Sequence, residues 1–260
     1  MTTASQAAIT QVDTSITGRV ALITGAAGHV GSTLTRALVA AGAHVALSYH
    51  SGQEAAERLA DECRAAGRRS IAVKADLRDP GASEALIDTV IESLGAVDIL
   101  VANAGAGAAR SWTQVDAADF DEGMAVNVRA PYLMARRALP SMMERSWGRI
   151  LFVSSLAAFV GGPFGPDYSA SKAALHGLTH YFAPQVAPAG VTVNAIAPAL
   201  VGEHSVAMIE DENIARALTG SIPVGRIGDT GELAAFTVAI LQNSYLTNKV
   251  LTIDGGLLAR

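Results

Sequence analysis

Tyr168 and Lys172 stand four residues apart at the head of a stretch with helical spacing, so a phenol and an ammonium share one face. A free tyrosine titrates near about 10, too high for efficient proton transfer at neutral pH, and a neighbouring cation lowers it by stabilising the phenolate. Lys172 is placed to supply that cation, which makes Tyr168 a candidate proton donor and acceptor. The same pair occurs on many ordinary helices, so its meaning depends on the elements that position it.

Those elements alternate. Short runs rich in Val, Ile and Leu predict strands over residues 20–24, 44–48, 70–74, 99–102, 149–154, 191–196 and 249–253. Apolar residues at helical spacing predict helices over 30–41, 53–66, 83–94, 119–137, 168–186 and 231–242, the last with Asp229 and Thr230 suited to its cap. The pattern implies an α/β fold: a doubly wound (Rossmann) seven-stranded parallel sheet flanked by helices on both faces, in a single domain. Residues 1–16 read as a flexible arm too polar to help the core, and 17–260 as the domain. Residues 200–220 break the alternation and carry Glu203, His204, Glu210, Asp211 and Glu212; they read equally as a mobile lid or as a plain surface helix.

The first strand runs straight into Thr24-Gly25-Ala26-Ala27-Gly28-His29-Val30-Gly31 and then into a helix. Glycines let backbone approach a diphosphate, and the free N–H groups at a helix N-terminus favour that anion, so strand, glycine-rich turn and helix in this order point to a dinucleotide. Asp76 follows the third strand and Asn103-Ala104-Gly105 the fourth, at carboxyl ends that line the ligand crevice of an open parallel sheet. The second strand ends in Ser48-Tyr49-His50-Ser51, where a carboxylate would accept bonds from the free ribose hydroxyls of NAD(H). With no carboxylate to repel a 2′-phosphate, and with an imidazole and hydroxyls to bond it, NADP(H) is favoured and NAD(H) stays open.

The bulk composition narrows the partners. Half of the residues are hydrophobic and 17% are charged, which suits a core buried from two sides. A net charge of −5 gives no electrostatic reason for nucleic acid or an anionic membrane as partner. No segment offers the roughly 20 unbroken apolar residues that cross a bilayer. One cysteine, Cys63, cannot form an internal disulfide, and the cytoplasm is the simplest address. His44, His176 and His180 form no ligand set at metal spacing, so no catalytic metal is expected.

Thr24-Gly25 with Gly31, Asp76-Leu77, Asn103-Ala104-Gly105, Asn127, Ser154-Ser155, Tyr168 with Lys172, Asn194-Ala195-Ile196-Ala197-Pro198 and Asp254-Gly255-Gly256 together resemble the short-chain dehydrogenase/reductase family, in its single-domain branch, over about residues 18–256. The resemblance implies that Ser155, thirteen residues before the tyrosine, bonds the substrate oxygen, with Ser154 the lesser candidate by that spacing. It implies that Tyr168 transfers the proton while a nicotinamide delivers hydride, and that Lys172 bonds the nicotinamide ribose and tunes the phenol. Asn127 would hold a water linking Lys172 to solvent. Pro198 and Val201 would border the nicotinamide, and Gly25, Gly28, His29, Val30, Gly31, Tyr49, His50, Ser51, Asp76, Leu77, Asn103, Ala104 and Gly105 would line the rest of the cofactor. Subunits of such enzymes pair through the long helices around Asn127 and Lys172, so a homotetramer or homodimer is expected.

The chain also departs from that pattern. His29 stands where the branch has glycine and Gly28 precedes it, a spacing similar to a longer branch whose members epimerise or dehydrate nucleotide sugars. Ala199 replaces a common glycine, and Glu203 a frequent threonine. The overall pattern is similar to β-ketoacyl carrier-protein reductases and related ketone reductases, mostly NADPH-dependent. Ser146 and Ala189 occupy places where arginines would dock an acidic acyl carrier protein, although Arg145 could stand in for one. A free ketone or alcohol therefore ranks slightly ahead of an acyl carrier protein as partner, and Phe159, Phe164, Trp112 and Leu200 suggest that it is apolar. The competing readings are a dinucleotide-binding regulator without turnover, against which intact Ser155, Tyr168 and Lys172 argue, and an epimerase or dehydratase.

Overall fold

A strand buried on both faces must present apolar side chains upward and downward alike. The computed structural model, which describes residues 14–209 and 211–258, realises this in seven strands. They are β1 (Val20–Thr24), β2 (His44–Tyr49), β3 (Ser70–Lys74), β4 (Ile99–Ala102), β5 (Gly148–Val153), β6 (Val191–Pro198) and β7 (Val250–Ile253). All neighbours pair in parallel, in the order β3-β2-β1-β4-β5-β6-β7. Within β1 the faces alternate residue by residue. Val20 and Leu22 join a core with Leu86 and Ile87 of α3 (Pro80–Leu94), Met134 of α5 (Ala130–Glu144) and Leu175 of α7 (Pro166–Val186). Ala21 and Ile23 face the opposite core, with Leu34 and Leu38 of α1 (His29–Ala40), Leu59 of α2 (Gln53–Ala65) and Leu233 of α10 (Thr230–Gln242). The result is one three-layer domain.

The chain leaves β1 toward β2 and β3 on one side, then returns to place β4 on the other. Between β1 and β4 the connections therefore diverge, and a crevice opens at the carboxyl ends of the strands. Every loop that follows a strand delivers its first residues to this edge.

Two expectations need revision, and a third region is filled in. The helix expected over 119–137 is α4 (Ala117–Met124), a π turn (Ala125–Arg129) and α5 in continuous succession. The wider turn coincides with Asn127, whose side chain is bonded to the backbone of Ala106; π turns inside helices commonly mark functional positions. Residues 200–220 contain α8 (Glu203–Ala207) and α9 (Glu212–Gly220), the latter capped by the Asp211 carboxylate. Finally, Ile16, expected within the arm, is fully buried in the core beside α1, and its carbonyl accepts from Arg19 N–H. Residues 1–13 of that arm lie outside the described residues. The remaining elements include the short α6 (Ala157–Val160), which sequence periodicity does not announce.

Candidate active site

The glycine-rich turn is held by its neighbours rather than by its own side chains. Thr24 Oγ1 at the end of β1 accepts from the N–H groups of Asn103 (3.0 Å) and Ala104 (2.9 Å), and Asn103 Nδ2 donates back to Thr24 O at 2.9 Å. These bonds zip the loop ends of β1 and β4 together. Gly25 has φ +63°, and a Cβ on it would lie 3.1 Å from Ala104 Cα. A Cβ on Gly31 would lie 2.2 Å from Gly25 O, so α1 can start this close to the turn only with glycine there. Gly28 caps α1 without a side-chain bond, and no acidic residue sits in the first turn, which leaves those N–H groups facing the crevice.

The crevice is a cleft of about 580 Å³. Gly25, Gly28, His29, Val30, Gly31, Tyr49, His50, Ser51, Asp76, Leu77, Asn103, Ala104, Gly105, Ser155, Tyr168, Lys172, Pro198 and Val201 all border it. Asn127 does not; it stands behind the wall. Its Nδ2 donates to Ala106 O (2.7 Å) and Ser171 Oγ (2.9 Å), while its Oδ1 accepts from Ala106 N–H (2.8 Å). With its amide bonded on both sides, Asn127 fixes the loop after β4 against α7.

At the chemical end, the first turns of α7 bring Tyr168 and Lys172 under the carboxyl end of β5. Lys172 is buried, its Nζ donates to Val153 O at 2.8 Å, and burial pushes the ammonium down to about 8. A Cβ on Gly105 would sit 3.1 Å from that Nζ, so the loop after β4 passes close to the ammonium. The Tyr168 ring packs on Gly107 and lies 5.1 Å from the Phe164 ring. Burial raises the phenol above its ordinary value, and a hydrogen bond with the Ser155 side chain partly offsets this. An acidified phenol was the expectation from sequence; the structure gives the opposite direction. The reason is burial of the phenol, which dominates, while the Lys172 Nζ lies 5.6 Å from the ring centroid and bonds Val153 O.

The two adjacent serines have separate partners. Ser154 Oγ donates to Lys172 O and pairs with His176 Nε2, each at 2.8 Å, so it braces α7. Ser155 turns to the cleft and to Tyr168.

At the opposite end, beyond β2 and β3, the side chains are charged and half-exposed. Arg78 grips the Asp76 carboxylate through Nε (2.9 Å) and its terminal nitrogen (2.7 Å), and the same nitrogen lies 3.1 Å from His50 Nε2. This pairing holds the Asp76 carboxyl far below the usual carboxylate range. Glu122 lies 3.7 Å from Arg78, and both border the cleft. Sequence reasoning missed Arg78. Its position two residues after Asp76 was a usable signal, but nothing in the spacing says that the side chain turns back toward the end of β2.

The apolar wall is smaller than expected. Phe164 and Leu200 border the cleft, whereas Trp112 is 78% exposed and Phe159 stacks on the His176 ring at 4.7 Å. Trp112 stands mostly in solvent, and Phe159, in α6, packs against His176 of α7.

A cleft across the switch point of a doubly wound sheet, bordered by the uncapped N-terminus of α1 and by Ser155, Tyr168 and Lys172, fits a dinucleotide-dependent oxidoreductase. Residues 19–213 match the sequence profile of the short chain dehydrogenases, and the chain belongs to that family. Nodulation protein G of Azospirillum brasilense is 35% identical over 242 residues, covering 92% of this chain and 98% of that protein. The 3-oxoacyl-[acyl-carrier-protein] reductase FabG of Staphylococcus aureus is 32% identical, covering 91% and 97%. Among solved structures, a blue fluorescent protein from a metagenomic library in complex with NADPH is 32% identical with a TM-score of 0.86, covering 94% of this chain and 99% of that one. A nicotinamide dinucleotide is accordingly the cofactor class of this family member. Among the described residues no helix is long and apolar enough to cross a membrane.

Proposed function

We propose that this protein reduces a ketone to an alcohol with NADP(H), the proton coming from Tyr168. The observation that carries the reading is that Ser155, Tyr168 and a buried Lys172 border one end of the same cleft. The bound dinucleotide supplies the hydride. Ser155 and Tyr168 present two hydroxyls to one point, where both can donate to a carbonyl oxygen. A phenol raised by burial reaches neutral pH protonated, which suits a general acid. As the proton leaves Tyr168, the negative charge left on the ring is stabilised by the Lys172 ammonium on the same helix face. Asn127 keeps the Ala106 backbone and α7 in register, so the geometry of the three groups does not relax.

NADP(H) is preferred over NAD(H) because the end of β2 offers His50 and Ser51 and no carboxylate, and because Arg78 adds a guanidinium beside His50. A free ketone is preferred over an acyl carrier protein substrate. Arg145, the cation that could replace the missing docking arginines, spends its guanidinium on Asp98 (3.1 Å) and Val97 O (3.3 Å). The helices α5 and α7 are the proposed self-association surface, with Tyr132 and Tyr181 exposed on them. The test is a set of absorbance assays with NADPH and a panel of ketones including a β-ketoacyl thioester. Oxidation of NADPH by free ketones, faster than by the thioester, is expected. Failure of every carbonyl to oxidise either NADPH or NADH would overturn the reading.

A further inference from the structure

His29 and His204 both border the cleft. His29 is the first residue of α1, and its ring borders the cleft beside the glycine-rich turn. His204 in the first turn of α8 borders the same space, with the two ring centroids 6.1 Å apart and tilted by 44°. That separation is too wide for the imidazoles to bond one another, and neither ring has a hydrogen-bond partner among the described residues. Gly202 makes the approach feasible: a Cβ there would lie 2.5 Å from His29 Nε2, and its φ of +73° is itself a glycine conformation. Its N–H donates to Gly228 O at 2.8 Å, so the backbone against which His29 rests is anchored rather than loose.

Two exposed imidazoles that border one cleft, neither bonded to another described residue, suit an anion, since each carries at least one N–H donor in any protonation state. We propose that His29 and His204 together grip the diphosphate of the dinucleotide, which the N–H groups of the first turn of α1 face from below. This rests on the reading that a nicotinamide dinucleotide lies along the cleft. It also gives α8 a definite role, because a diphosphate held through His204 fixes the segment that begins at Pro198 and borders the chemical end.

ADP-ribose carries the adenosine and the diphosphate without the nicotinamide, and its binding to the full chain can be measured by calorimetry. His29→Gly and His204→Ala are each expected to weaken it about five- to twentyfold, and the double variant less than the product of the two. His29→Gln and His204→Gln, which keep an N–H donor, are expected to recover binding to within about threefold of the parent. Binding within twofold of the parent in both truncated variants would overturn the proposal, as would an equal loss in the glutamine variants, the pattern of a mere packing role. If the parent chain binds neither ADP-ribose nor NADPH, the cofactor reading itself fails; if the parent binds and the variants match it, only the histidine grip fails.

Discussion

The two ends of the cleft are built from different physics. Around Tyr168 the groups are buried and tied to backbone: Lys172 to Val153 O, Asn127 to both sides of Ala106, Ser154 to Lys172 O. Around Asp76 they are charges in solvent, with the side chains of His50, Asp76 and Arg78 between 43% and 55% exposed. A buried polar group cannot lose its partner cheaply, so the chemical end is held in one arrangement. Exposed ion pairs are screened and contribute little, so the nucleotide end can change its charge pattern without threatening the fold. On the proposed reading, the first region fixes the reacting groups and the second leaves cofactor selectivity adjustable.

The largest effect is expected from Tyr168→Phe. Removing the proton donor should lower turnover by about three to four orders of magnitude while NADPH binding, read by fluorescence titration, stays within about twofold. Near-parental turnover would break the contrast at its strongest point. Ser155→Ala should cost about a hundredfold, as loss of one preplaced donor does elsewhere.

Next is the buried Lys172. Unfolded, it holds its proton up to about 10.5; folded, it releases it above about 8. Between those values the unfolded chain binds more protons, so stability should rise with pH, by on the order of 3 kcal/mol over the full window. Tyr168 works against this only above about pH 10, where the folded chain retains a phenolic proton that the unfolded chain has lost. Chemical denaturation of the parent and Lys172→Met from pH 7 to 10 isolates the lysine. A positive slope in the parent and its absence in the variant are expected; equal slopes would show that burial does not perturb this ammonium.

How much of this was legible in the sequence follows the same division. The strands are readable to within two residues because burial on both faces writes continuous Val, Ile and Leu runs such as Val20–Thr24. The residues that border the cleft are readable because turns after parallel strands must lie at one edge of the sheet. Side-chain direction is not readable. Nothing in the sequence indicates that Lys172 donates to Val153 O, that Arg78 doubles back to Asp76 and His50, or that Trp112 faces solvent. Helix periodicity likewise hides the π turn at Ala125–Arg129, because one wider turn barely alters the apolar pattern that precedes and follows it.

At the nucleotide end, Arg78→Met removes a cation from the neighbourhood of His50 and leaves the Asp76 carboxylate without its partner. NADPH should then bind at least about tenfold more weakly, NADH should change by less than about threefold, and the melting temperature should move by no more than about 2 °C. An equal loss for both cofactors would mean that Arg78 supports the loop and does not read the 2′-position.

The smallest effect concerns the aromatic residues beside the chemical end, and it tests whether burial or mere proximity in sequence confers a role. Phe164 borders the cleft with its ring 5.1 Å from Tyr168, so truncation to Ala removes one side of the packing that orients the phenol. Roughly a tenfold loss in kcat/KM is expected, chiefly in kcat, because a misplaced donor weakens the transition state more than it weakens binding. Trp112 projects into solvent and borders nothing that reacts, so Trp112→Ala should leave kcat/KM within about twofold. If instead Trp112→Ala proved the more damaging, the loop that carries it would have to fold over the bound substrate. The rigid chemical end would then be completed by a part of the chain whose contacts form only during turnover.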